Sequence, residues 1–139
     1  MFKEYTQYDA TGLAALIAQR EVSQQEVLEA ALARAQAVEP QLHAICIPMY
    51  EQANQRVRQT LHGPFAGVPM LIKDASQDYA GVPATQGSRA LRNWVPSQHA
   101  EVVARWLAAG MVIFGKTATP ELCLKAVTES ELWARKQLH

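Results

Sequence analysis

Phe65-Ala-Gly-Val-Pro-Met-Leu-Ile-Lys-Asp74 is the stretch on which the reading of this chain turns. From Ala66 to Ile72 the residues are apolar without polar alternation, and the run ends in the charged pair Lys73-Asp74. Such a run predicts a strand covered on both faces, as in a parallel sheet. Pro69 cannot donate to a ladder, so the regular strand is expected to start at or just after it. A long loop follows, holding Gly81, Pro83 and Gly87. His99 to Ala109 then shows helical spacing through Val102, Val103, Trp106 and Leu107. Gly110 ends that helix, and Met111 to Phe114 reads as a second buried strand. Strand, helix and strand at this spacing predict a right-handed βαβ crossover, so the class is α/β.

Upstream the pattern is helical, over residues 9 to 39 in two pieces. Asp9 can cap a first segment whose apolar positions are Leu13, Leu16 and Ile17. After a break around Arg20 to Val22, Ser23 with Glu26 three residues later forms a capping-box pattern. The second segment places Val27, Leu28, Ala31, Leu32 and Ala35 on one face, with Pro40 just beyond its end. A short strand is expected over His43 to Ile47 and a helix over Glu51 to Leu61, before Gly63-Pro64 breaks the chain. The organisation expected is a mainly helical arm over 1–62 with a short strand, a βαβ core segment over 63–133, and a tail over 134–139.

Composition narrows the function classes. With 139 residues, 49% apolar and 19% charged, the chain reads as a soluble globular unit of ordinary domain size. Thirteen Lys and Arg balance thirteen Asp and Glu, and no basic cluster of the kind nucleic acid requires is present. No window approaches the ~20 apolar residues of a membrane span, and the first residues lack a secretory h-region, so a cytoplasmic protein is expected. Cys46 and Cys123 stand far apart, and Cys46, within Ala44-Ile-Cys-Ile47, reads as a buried thiol. His43, His62, His99 and His139 are isolated from one another in sequence, so neither a metal nor a cofactor is expected.

Gly110-Met-Val-Ile-Phe-Gly-Lys-Thr117 matches the nucleotide-binding pattern G-x-x-x-x-G-K-T letter for letter. In a true phosphate loop the intervening residues form a tight turn whose amides face phosphate. Met, Val, Ile and Phe instead demand a buried strand, and Pro120 opposes a helix after Lys116-Thr117. The match is read as a coincidence of letters. Lys73 is a different case. A lysine at the carboxyl end of a parallel strand stands where open α/β sheets place their ligands. On position alone a lysine merely snorkelling to water is favoured.

The neighbouring residues change that balance. The segment 65–74 resembles the G-V-P-x-x-x-K-D strand of the amidase-signature family. The similarity continues through Gly81-Val-Pro-Ala-Thr-Gln-Gly-Ser88, Glu101-Val-Val-Ala-Arg-Trp-Leu-Ala-Ala-Gly110 and Val112-Ile-Phe-Gly-Lys-Thr-Ala-Thr-Pro-Glu121. Ala118 stands where the family usually has Asn, while Thr128-Glu129 and Leu132-Trp133 again resemble it. Four blocks in order, over residues 65–133, are more specific than any one of them.

That resemblance implies an α/β/α mixed-sheet fold and an amide hydrolase with a Ser-(cis)Ser-Lys triad. Lys73 would be the triad lysine, acting through the bridging serine to take the nucleophile's proton. A lysine used as a base near neutral pH has to be held neutral, which desolvation accomplishes. The family's two serines are expected after the last matching block. Beyond Ser97 the only serine is Ser130, in Thr-Glu-Ser-Glu, and no glycine follows Gly115. Ser76 and Ser88 read as turn hydroxyls.

The expectation is therefore a truncated amidase fold, inactive alone, whose unrelated tail Ala134-Arg-Lys-Gln-Leu-His139 suggests a frameshift or premature stop. Two alternatives remain. One is half of a split amidase, with a complementing chain or self-association. The other is a binding or scaffolding module of the same fold. The substrate implied for the family is a small-molecule amide, of unspecified type.

Overall fold

A computed structural model describes residues 2–134. A 3-10 turn at Lys3–Gln7 leads to helices α1 (Ala10–Ala18) and α2 (Gln24–Leu42), strand β1 (Ile45–Pro48) and helix α3 (Tyr50–Arg56). Strand β2 (Pro69–Lys73), a long loop, helix α4 (Glu101–Ala108), strand β3 (Val112–Thr117) and a final turn of helix, α5 (Glu131–Ala134), complete the order. The three strands form one sheet in the order β1-β3-β2.

β1 runs antiparallel to β3, with Ile45 opposite Thr117, Ile47 opposite Lys116 and Pro48 opposite Gly115. Between β2 and β3 the bonds advance in one direction along both strands. Val112 N–H donates to the Val68 carbonyl at 2.8 Å, and Asp74 N–H to the Thr117 carbonyl at 3.0 Å. That ascending register is a parallel pairing. The sheet is therefore mixed, the fold is α/β, and β2, α4 and β3 supply the expected strand-helix-strand unit.

Contacts divide the chain into two compact units. One comprises the residues up to Leu42, Met49–Met70 and Arg105–Phe114; the other comprises His43–Pro48, Leu71–Ala104 and the residues from Gly115 on. The first unit has a core of Leu13, Val27 and Val68, with Phe2, Tyr5, Ile17 and Phe65 packed around it. Its helices begin as their sequence requires. The Asp9 carboxylate accepts from Gly12 N–H at 2.7 Å. Ser23 and Glu26 close the reciprocal capping box, Ser23 N–H to Glu26 Oε2 at 2.9 Å and Glu26 N–H to Ser23 Oγ at 3.2 Å.

Several boundaries differ from expectation. α2 runs through Pro40 to Leu42. In the last turn a proline removes one bond only, to the carbonyl of Gln36, which is exposed and open to water. His43 does not join β1, because its φ of 47° is the left-handed conformation that ends a helix. α3 stops at Arg56, not Leu61, because the Gln24 amide takes the carbonyls of Val57 and Gln59 that another helical turn would have used. β3 continues past Phe114 to Thr117, so Gly115 and Lys116 lie within a strand. Of the tail set apart at 134–139, residues 135–139 lie outside the described residues.

α4 ends in a Schellman motif. Met111 N–H reaches back to the Trp106 carbonyl at 3.1 Å and Gly110 N–H to that of Leu107 at 3.0 Å. Arg56 adds side-chain bonds from Nε to the Met111 carbonyl at 2.8 Å and from Nη2 to that of Leu107 at 2.6 Å. Gly110 itself has φ of +92°, and a Cβ there would lie 2.6 Å from Ala66 Cα and from the His62 carbonyl oxygen. Gly110→Ala is thus expected to destabilise by more than ~1 kcal/mol, read as a lowered urea midpoint at unchanged m-value. An unchanged midpoint would show that this turn does not constrain the chain.

Candidate functional site

The end of β2 sorts its side chains by the two-residue period of a strand. Ile72 and Asp74 are buried, while Lys73 between them is exposed. The burial anticipated for Lys73 is thus not supplied by the described residues, because strand alternation turns it away from the covered face. Its backbone N–H donates to Gln77 Oε1 at 2.5 Å, which anchors the turn after the strand.

Asp74 faces inward with no exposed surface. Its Oδ1 accepts from Thr85 N–H at 3.0 Å and its Oδ2 from the Thr85 hydroxyl. Lys116, from β3, is equally buried, with Nζ 3.9 Å from Asp74 Oδ1. The Lys116 ammonium donates to the Pro83 carbonyl at 2.7 Å. Burial pushes Lys116 down from the ordinary lysine range, while the Asp74 carboxylate opposes this by favouring the charged form. The two charges tie the ends of the parallel strands β2 and β3 to the loop at Pro83–Thr85. The lysine of the G-x-x-x-x-G-K-T match is therefore committed to an internal carboxylate within a strand, not presented to a phosphate.

Lys116 is the functional-looking side chain that sequence reasoning passed over. A signal was available. A lysine two residues after a run as apolar as Met111–Phe114, still in the same buried strand, requires a buried counter-charge, and Asp74 directly follows the strand that pairs with that run.

The serines behave as turn hydroxyls. Ser88 is buried, donates to Glu121 Oε1 at 2.8 Å and accepts from Ala90 N–H. Ser130 accepts from Trp133 N–H at the start of α5, and Ser76 is an exposed turn residue with φ of 59°. Both cysteines are free thiols. Cys46, partly buried in β1, donates to the Lys116 carbonyl at 3.4 Å, and burial pushes its thiol up to about 12. Cys123 is exposed, with Sγ 3.1 Å from Thr119 Oγ1. Among the described residues, no helix is long and apolar enough to cross a membrane.

The described residues thus form a mixed α/β sheet with an exposed lysine at the carboxyl end of a parallel strand, next in sequence to a buried aspartate that pairs with a second lysine. The Amidase family matches residues 26–135, and the chain belongs to that family. It is 40% identical over 127 residues to the 6-aminohexanoate-cyclic-dimer hydrolase of Paenarthrobacter ureafaciens, covering 90% of this chain and 26% of that protein. It is also 40% identical over 129 residues to a glutamyl-tRNA(Gln) amidotransferase chain of Acidothermus cellulolyticus, covering 87% of this chain and 25% of that one. The solved structure of a 6-aminohexanoate cyclic dimer hydrolase complexed with substrate superposes with a TM-score of 0.86 at 39% identity, over 91% of this chain and 26% of that one. Fatty acid amide hydrolase, at 19% identity, shares the fold with a TM-score of 0.87 over 96% of this chain and 25% of that one. The chain spans about a quarter of the length of the relatives it matches.

Removing one member of a buried ion pair strands the other charge. Lys116→Met is expected to cost about 3–5 kcal/mol, and Asp74→Asn with Lys116→Met together less than either alone. Denaturant melts of the three variants check this. Single variants that melt like the parent would show that the pair contributes no stability.

Proposed function

We propose that this chain is the lysine-bearing part of an amide C–N hydrolase, with Lys73 as the triad lysine. Family membership supports the reaction class. The observation that carries the residue assignment is the end of β2, where Asp74 turns inward to Thr85 and Lys116 while Lys73 is exposed on the opposite side of the strand. In such a site the lysine would receive the nucleophile's proton through a bridging serine and return it to the leaving amine. Desolvation of Lys73 would then come from the segment that brings the serines.

Among the described residues Ser23, Ser88 and Ser130 are used in turns and caps, and Ser76 and Ser97 are exposed bend residues, so none has the environment of a nucleophile. A polypeptide of this sequence alone is accordingly inactive toward amides. The substrate class is a small-molecule amide, in keeping with the cyclic amide for which the 6-aminohexanoate-cyclic-dimer hydrolase is named. A split amidase, with the serines on a complementing chain, is the same chemistry in two polypeptides. A scaffolding role without catalysis would make Lys73 dispensable.

The test replaces the matching front segment of the 6-aminohexanoate-cyclic-dimer hydrolase by this chain and measures cyclic-dimer hydrolysis. Lys73→Ala in that chimera is expected to lower kcat by at least about a thousandfold with the melting temperature retained. Full activity in the variant would overturn the assignment of Lys73. Amide hydrolysis by the 139-residue chain itself would overturn the inactivity.

A further inference from the structure

We propose that Gln77 is a positioning residue for Lys73, clamping the backbone of the proposed proton carrier from the open edge of β2. The inference rests on the reading of Lys73 as the triad lysine and names the group that aims it. Asp74 N–H points to β3, where the Thr117 carbonyl accepts it at 3.0 Å. Successive amides of a strand point to opposite sides, so the N–H of Lys73 faces the other edge of β2. β2 ends the order β1-β3-β2, and among the described residues no strand covers that edge. An edge amide is normally left to water. Here Gln77 Oε1 stands in for a strand carbonyl and accepts from Lys73 N–H at 2.5 Å.

The glutamine is delivered by a turn that is itself anchored. Ser76 takes a φ of 59°, which folds the chain back toward the strand it has just left. Before it, Asp74 and Ala75 are buried. After Gln77, the Asp78 carbonyl accepts from Ala100 N–H at 2.9 Å. Gln77 is partly buried between these two fixed points, so its side chain gives up little further freedom in reaching Lys73.

The main chain around Lys73 is thereby held on both sides. The Ile72 carbonyl accepts from the Thr117 hydroxyl at 3.3 Å, Lys73 N–H is taken by Gln77, and Asp74 N–H by Thr117. A lysine side chain is long and flexible, so the direction in which it leaves the strand is set by its backbone. A reacting group displaced by about 1 Å can lose roughly a hundredfold in rate. Thr117 belongs to β3 and Asp74 to the buried ion pair, and removing either disturbs the sheet. Gln77 lies outside the sheet and is the member of the set whose loss reads out as positioning.

Two measurements test this. In the full chain, amide hydrogen exchange followed by NMR compares Lys73 with Asp74. Gln77→Met, which keeps the size and loses the acceptor, is expected to speed exchange at Lys73 about fivefold and to leave Asp74 unchanged. Gln77→Glu, which keeps an acceptor, should restore the protection. In the chimera with the cyclic-dimer hydrolase, Gln77→Met is expected to lower kcat about tenfold at unchanged KM and melting temperature, and Gln77→Glu to recover it. Exchange at Lys73 indifferent to Gln77→Met would overturn the clamp. Parental kcat in Gln77→Met, with or without a lowered melting temperature, while Lys73→Ala is inactive, would overturn the positioning role and leave the lysine reading standing. Activity that survives Lys73→Ala would instead sink the lysine reading, and this inference with it.

Discussion

The buried pairing of Asp74 with Lys116 is the constraint around which the second unit is arranged. Two charges with no solvent exposure can persist only when each finds partners inside. Asp74 finds Thr85 twice over, and Lys116 finds the Pro83 carbonyl. The demand reaches outward from there. It brings a loop eleven residues downstream of Asp74 back against the strand ends, and it makes Gly115-Lys116-Thr117 the end of a strand. Cys46 Sγ bonds the Lys116 carbonyl, so the antiparallel β1 is held to the same residue.

A consequence for chemistry follows from strand periodicity. Once Asp74 is committed inward, its neighbour Lys73 has to face the other way. The proposed catalytic lysine therefore stands beside an aspartate without being its ion-pair partner.

The first unit obeys simpler rules. Helix starts at Asp9 and Ser23 were legible because capping is local, a side chain within three residues of the amides it satisfies. The end of α4 was legible for the same reason, since Gly110 supplies the left-handed position of a Schellman motif. The end of α3 was not, because the groups that stop it belong to Gln24, more than thirty residues earlier in the chain.

What the amino-acid sequence determined by itself was the order of elements, the α/β class, the family resemblance and the rejection of the phosphate-loop match. Each rests on periodicity, on capping within a few residues or on the order of motifs, all of which are local. The tertiary structure decided which lysine is buried. Lys73 and Lys116 both follow apolar runs, and hydropathy treats them alike. Burial requires a counter-charge, and only the folded register of β2 on β3, with the return of the Thr85 loop, brings Asp74 to Lys116 and leaves Lys73 outside.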